Sequence, residues 1–354
     1  MKEAIGILVN DVHLTKDNGL LVQSIFEQLT ALCAKKRCKR IFCGGDVFTN
    51  RSGQPLSCLI QWSDIITELA KKQIALYIIP GNHDKTNPDA EESYLDVFHS
   101  PYVRLFRSGW VNVISRKLVV AMIPYFTDER WLQEYERVEE MVEANFIDGD
   151  IDRNAKKILI SHSGFDGVMN NDGSRVESII KPSIFKDWDK VLLGHYHNAS
   201  QLSDNVFYTG SAYQNNFGEN ITDKGFTVIY EDASTEFVPS RFPKYIKEVI
   251  DVKDKVTLRN LIEKYEGDEE NFIRFQFVGS KVDFQAIDTT EITCKGIDVK
   301  FQNDETTEAM QVAESDSVMC YDKQTIKRDF INFCKENNIK GKMLSFGLNL
   351  IKNV

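Results

Sequence analysis

At 354 residues, 42% of them hydrophobic, the chain is long enough for a sizeable core, which the usual size range divides into one large domain of roughly 240 residues and something smaller. Its formal net charge of -10 argues against a general nucleic-acid coat, which needs clustered Lys and Arg, but not against local binding by a carboxylate site that gains positive charge from metal ions. No apolar run approaches the ~20 residues of a membrane helix, and the seven scattered cysteines, without a Cys-x-x-Cys pair, read as reduced cytosolic thiols, neither a disulfide framework nor a zinc cluster.

The N-terminal "MKEAIGILVND" runs straight into a strand, without the architecture of a signal peptide. "LLVQSIFEQLTALCAKK" follows, with Leu21, Ile25, Leu29 and Leu32 near helical spacing. The basic run "KKRCKR" (Lys35 to Arg40) reads as the solvated C-terminal end of that helix. "RIFCGGD" then leads to a second helix, "LSCLIQWSDIITELAKK", and to the strand of "IALYIIPGNHD". Further strands are expected at "LVVAMIPYF", "KKILISH", "KVLLGH", "VFYTG" and "GFTVIY". Strands alternating with helices imply parallel pairing with right-handed crossovers. The later strands come with fewer helices, which suits a second sheet packed on the first. After about residue 240, "YIKEVIDV", "TLRNLIEKYE", "NFIRFQFVGS" and "GIDVKFQ" predict a small α+β unit. "NDETTEAMQVAESDS" reads as an acidic linker. Beyond it Asp322 caps an expected helix with Ile326, Phe330, Phe333 and Cys334 along one face.

Polar sequence closes the strands, where open α/β sheets place their sites. The strand ends carry Asp11 and His13, Asp46, Asn82 and His83, His162, and His195 with His197. Five of the six histidines therefore sit at strand ends, and His99 reads as an ordinary loop residue. Each motif alone has a structural explanation: "GGD" as a turn, "GNHD" as an Asn/Asp-stabilised turn, a histidine after a strand as a satisfied core residue. Their occurrence at successive strand ends points instead to metal binding. Carboxylate and imidazole suit manganese, iron or zinc better than calcium or magnesium. Seven groups exceed the needs of one ion and suit two, about 3.5–4 Å apart, sharing a carboxylate and clamping both oxygens of a phosphoryl transfer. In an extended strand, His195 and His197 would point to the same face, each toward a different metal.

The series "DVH", "GGD", "GNHD", "SH" and "GHYH" resembles the calcineurin-like metallophosphoesterase superfamily over residues 5 to 200. More narrowly, "GGDVFTNRSGQP" and "YTGSAYQNNFGENITDKGF" resemble segments of the Mre11/SbcD nuclease family, and the order of parts is similar to the bacteriophage recombination endonuclease subunits. The resemblance implies an α/β fold: a two-sheet metallophosphoesterase sandwich flanked by helices, with a small α+β capping domain and a helical C-terminal tail. The boundaries expected are 1–240 for the nuclease domain, 241–302 for the cap, 303–321 for the linker and 322–354 for a partner-binding tail. Carried over by position, it places Asp11, His13 and His197 on one metal, Asp46 as the bridge, and Asn82, His162 and His195 on the other. It makes His83 the non-ligand histidine that assists the leaving oxygen, with the adjacent catalytic-loop residue Asp84 orienting either the loop or that imidazole. Thr49 stands where many relatives have an aspartate, and Asn10 where a small residue is common.

What this implies is a divalent-metal-dependent DNA nuclease using two ions, manganese foremost with magnesium, iron or zinc as alternatives. Its partners would be DNA and an SMC-like ABC ATPase subunit of the Rad50/SbcC type, with a homodimer left open and no membrane association. Its place would be the cytoplasm, that of the host cell for a bacteriophage protein. The rivals are a phosphatase or small-phosphodiester hydrolase with the same centre, and a DNA-end-binding subunit that does not cleave. The protein-phosphatase pattern Gly-Asp-x-x-Asp-Arg-Gly is not met, since the aspartate is absent and Arg51 falls one position late. All the ligand positions are retained, against the non-cleaving rival.

Overall fold

In a computed structural model of the chain, residues 2–169, 174–289, 292 and 297–303 are described. The linker beyond 303 and the expected tail helix of 322–354 lie outside them.

Two mixed sheets of six strands form the body. The first runs β12-β11-β1-β2-β3-β4, built from β1 (Ala4–Val9), β2 (Arg40–Cys43), β3 (Ala75–Ile78), β4 (Val103–Leu105), β11 (Gly225–Tyr230) and β12 (Thr235–Pro239). The second runs β5-β6-β7-β8-β10-β9, from β5 (Trp110–Ser115), β6 (Leu118–Ile123), β7 (Lys156–His162), β8 (Lys190–Gly194), β9 (Ser200–Gln201) and β10 (Val206–Tyr208). As the alternating pattern predicts, β1 to β4 pair in parallel, and so do β6, β7, β8 and β10. The sequence does not predict β4, β5, β9 and β12: β4 and β9 are two or three residues long, and polar residues interrupt or flank the apolar ones of β5 and β12.

Three apolar layers hold the body together. Between the sheets lie Ile5, Leu8, Phe42 and Ile79 of one and Val120, Met122, Ile160 and Leu192 of the other. Because both faces of β1 and β6 are covered, these strands read as unbroken apolar runs without alternation. On the outer face of the first sheet pack α1 (Gly19–Lys36) and α2 (Leu56–Lys71). Trp62 of α2 meets Phe26 edge-on at 5.3 Å. On the outer face of the second packs α3 (Asp128–Ile147), whose Trp131 is fully buried against Phe165 and Phe185. The helix α1 ends at Lys36 with Arg37 in the left-handed C-cap conformation, and Lys35 and Lys36 sit in its last turn as the basic run predicts.

Past residue 240 lies a third sheet of three parallel strands, β13 (Tyr245–Asp251), β14 (Phe272–Gly279) and β15 (Ile297–Asn303). α4 (Lys255–Tyr265) and the short α5 (Lys281–Gln285) connect them. Phe275 and Phe277 centre a separate apolar core. This sheet is tied to the body at Gln214, whose amide donates to the Tyr245 carbonyl at 3.0 Å and accepts from the Tyr245 N–H at 2.8 Å. Arg274 lies 4.0 Å over the Phe217 ring beside that joint.

Candidate metal centre

The parallel strands of both sheets end at one edge, and the turns leaving them are strained. Asp11 (φ 53°), His13 (φ 47°), Asp46 (φ 52°) and His195 (φ 92°) all adopt left-handed conformations. For residues other than glycine such conformations cost about 1–3 kcal/mol each, and strain of this kind persists where surrounding structure dictates it. The turn before Asp46 needs glycine: a Cβ on Gly45 (φ 102°) would lie 2.7 Å from both the Gly81 nitrogen and His162 Nδ1.

These turns bring the predicted residues into two groups among the described residues. Asp11, His13 and His197 form one, and Asp46, His162 and His195 the other, with the ligand-type atoms of each within 4.8 Å of one another. Asp46 faces both, its Oδ2 lying 3.3 Å from His162 Nε2 and 3.6 Å from His13 Nε2. Asn82 joins the second group, with Oδ1 3.0 Å from His162 Nε2 and 2.9 Å from His195 Nδ1. His195 and His197 fall into different groups, though not through the pleat of a strand. β8 ends at Gly194, and the left-handed turn at His195 is what parts the two rings.

Electrostatics match this crowding. Burial lowers the pKa of His13 and His195 to about 3, with neighbouring imidazoles adding to the effect. Burial would raise Asp46, but the His162 ring outweighs it and holds the carboxyl well below the usual range. Burial opposes a charged His162 too, yet Asp46 prevails and raises it to about 9. The same pull that retains a proton there suits a cation. Burial also raises Asp11, its largest influence, which the His162 and His197 rings oppose.

Around these groups stand residues that fix them. His162 Nδ1 donates to the Gly44 carbonyl at 2.8 Å, leaving Nε2 as the inward lone pair. The His195 backbone N–H donates to Asp11 Oδ1 at 3.1 Å, and that of His83 to Asp46 Oδ1 at 2.8 Å. The sequence leaves two roles open for Asp84, and its hydrogen bonds serve the loop. Its carboxylate accepts from the N–H groups of Gly81 (2.9 Å), Phe48 (3.0 Å) and Val47 (3.3 Å), locking together the turns that carry Asp46 and Asn82. The His83 imidazole is held instead through Nδ1 by the carbonyl of Thr49. The backbone thus acts at the position where an aspartate is missing. Asn10 is also explained: its amide donates to the Leu193 carbonyl at 3.2 Å and to Thr209 Oγ1 at 2.7 Å, joining the first sheet to the second.

Two functional residues are not apparent from the sequence. Glu219, fully buried, accepts from His197 Nδ1 at 2.8 Å and pairs with the equally buried Lys224 at 3.1 Å. Lys224 Nζ also donates to the His197 carbonyl at 2.5 Å. Burial would raise Glu219, but the His197 hydrogen bond outweighs it and brings the carboxyl down to about 2. Their signal lies in "FGENITDKGF", an acid and a base set among turn formers in a segment that otherwise reads as a loop.

The profile of calcineurin-like phosphoesterases matches residues 7–205, more than half of the chain, and spans every residue of both groups. The chain belongs to the calcineurin-like phosphoesterase family. It is thus a metal-dependent hydrolase of phosphate esters, and its carboxylate, imidazole and amide donors fit the divalent ions this family uses. Phosphoesterase 078R of Invertebrate iridescent virus 3 is 21% identical over 313 residues, covering 81% of this chain and 85% of the viral one. The SbcD component of the nuclease SbcCD from Staphylococcus saprophyticus is 22% identical over 298 residues, covering 77% of this chain and 75% of its own. The solved nuclease MPE of Pseudomonas putida aligns at 16% identity and a TM-score of 0.27 over 48% of this chain and 66% of that one, too distant a likeness to weigh.

The Glu219 contact generates a prediction. A carboxylate behind a ligating histidine fixes its tautomer, and losing such a partner typically costs about 10–100-fold in metal affinity. Glu219→Gln should weaken manganese binding by that factor at the Asp11, His13 and His197 group and leave the other group loaded. Calorimetric titration resolving two sites checks this, and equal affinities in variant and wild type would remove Glu219 from the centre.

Proposed function

We propose that this phosphoesterase is a DNA nuclease that holds two divalent ions, manganese in preference. Asp11, His13 and His197 would hold one, Asn82, His162 and His195 the other, and Asp46 both. The observation that carries this reading is the position of Asp46 Oδ2, within 3.6 Å of ring nitrogens from either group. DNA as the substrate is supported by the likeness to the SbcD component of the SbcCD nuclease and by the motif resemblance of the loops after Asp46 and His197. Bound divalent ions supply positive charge at the phosphate and acidify a water enough for attack near neutral pH.

The chain's own groups do the rest. His83 belongs to neither cluster, lies edge-on to His13 at 5.1 Å and is half-exposed. With Nδ1–H given to the Thr49 carbonyl, its other nitrogen, Nε2, carries a proton only in the imidazolium form. In that form it donates to the departing sugar oxygen, the work of a general acid. The third sheet, within the proposed cap of 241–302, would select which DNA shapes reach the edge where the clusters lie. The segment of 322–354, whose sequence predicts a helix with an apolar face, is assigned to docking an SMC-like ABC ATPase, because one helix cannot bury such a face alone, and 303–321 is the linker to it. A cytoplasmic location is part of the same proposal; among the described residues no helix is long and apolar enough to cross a membrane.

Three measurements test this reading. With manganese, the purified protein should cleave labelled DNA ends, and Asp46→Ala should abolish cleavage by disabling both ions. Cleavage of bis-p-nitrophenyl phosphate alone would assign the centre to small diesters. His83→Ala should keep its full metal content while losing about 10²–10⁴-fold in rate, whereas loss of metal would make His83 a ligand or a support. Truncation after about residue 305 should leave manganese-dependent cleavage intact and abolish co-purification with the ATPase. Undiminished ATPase binding by the truncated protein would exclude the tail as the docking element.

A further inference from the structure

Behind the turn of Asn82 and His83, one buried cation has no part in the roles above. The Lys85 ammonium donates to the Tyr125 carbonyl at 2.7 Å and lies 3.8 Å over the Phe126 ring. Burying an ammonium is costly unless its hydrogen bonds are met, and what this one holds is a single turn. The Tyr125 N–H donates to the Pro80 carbonyl at 3.0 Å. Asp89 accepts from the N–H and the hydroxyl of Thr127 at 3.0 and 2.8 Å. The segment after β6 is thereby strapped, on both sides of Tyr125, to the loop that carries Asn82 and His83.

The ring so fixed lies at the metal centre. Its plane is tilted 29° from that of His195, with centroids 5.8 Å apart, and it meets His162 edge-on at 6.1 Å. Both imidazoles belong to the Asp46 group. Core aromatics such as Trp131 and Phe165 are fully buried, whereas Tyr125 is only partly covered. A rigid, partly open aromatic ring beside a cation group borders whatever is joined to a phosphate held there. In a nucleotide that neighbour is a flat base, which stacks on aromatic side chains.

We propose that Tyr125 is a substrate-positioning residue, on which an unpaired nucleobase next to the scissile phosphate stacks. The assignment deepens the DNA nuclease reading and rests on it, and it directs the site to single-stranded or frayed ends. A base inside a duplex has both faces covered by its neighbours, whereas every unpaired base offers a π-face, so the contact is tolerant of sequence. Lys85 acts through Tyr125: it holds the turn before substrate arrives, which spares the entropy of ordering it on binding.

The test measures binding and cleavage of single-stranded oligonucleotides by the manganese-loaded full-length protein. One strand is intact, and a set of others each lacks one base at successive positions. Tyr125→Ala should raise the dissociation constant and KM of the intact strand about 5–150-fold, the worth of one base–aromatic stack, with manganese content unchanged. Tyr125→Phe, which keeps the ring, should recover most of the affinity. In wild type, a missing base beside the scissile bond should cost as much, and in Tyr125→Ala it should cost nothing further. Equal losses by Tyr125→Ala on intact and abasic strands, or loss of manganese, would reduce Tyr125 to a packing partner of His195 and overturn the proposal. Unchanged affinity in Tyr125→Ala overturns it too. Wild-type protein that binds the strand through Tyr125 yet cleaves none would refute the nuclease reading and leave the stack standing. Cleavage independent of Tyr125 would refute the stack alone, and a wild type that neither binds nor cleaves the strand would refute both.

Discussion

Two fully buried carboxylates, Asp11 and Asp46, must be held a few ångströms from four imidazoles at the junction of two sheets, and the rest of the fold answers to that demand. Neither sheet supplies a complete group. Asp11, His13 and Asp46 leave the first sheet, whereas His162, His195 and His197 leave the second. The apolar layer between the sheets therefore does more than stabilise: it sets the register between two halves of each cluster. Left-handed backbone at four of these positions shows the same demand locally, since free peptides would not adopt it.

Holding the groups in place is divided among buried polar contacts that touch no other part of the chemistry. Asp84 locks the turns of Asp46 and Asn82 to one another, and Asn10 crosses from β1 to the end of β8. Glu219 and Lys224 steady His197 from behind. That last support is also a joint. Gln214 donates to the Glu219 carbonyl at 2.9 Å and grips Tyr245 of the third sheet by two further hydrogen bonds. A displacement of that sheet would thus reach a histidine of the first group through five residues of loop, a short and specific connection.

The body was legible because its information is local. Unbroken apolar runs ending in Asp, Asn or His announce both the parallel strands and their working ends, and β1, β2, β3, β7 and β8 all carry that signal. What stayed hidden depends on distant contacts or on backbone torsion. Glu219 looks like one acid among many until the fold sets it behind His197. The separation of His195 from His197 arises from a left-handed turn, where strand alternation would have placed both on one face. At Thr49, where many relatives have an aspartate, the hold on His83 comes from the backbone carbonyl, which side-chain reasoning does not see. Strands such as β4 and β9, two or three residues long, exist only because a neighbour offers hydrogen bonds.

That an acidic chain should bind DNA, as proposed, is less paradoxical once charge is counted where it acts. At the clusters the carboxylates are Asp11 and Asp46, since Glu219 is matched by Lys224 and Asp84 is held by backbone donors. If both groups are loaded as proposed, two divalent cations against two carboxylates would leave the edge of the sheets positive. The net charge of -10 on the chain as a whole disfavours non-specific binding of phosphate. On the proposed reading, affinity for DNA would reside in the loaded centre and its immediate rim, so metal binding and substrate binding should rise and fall together.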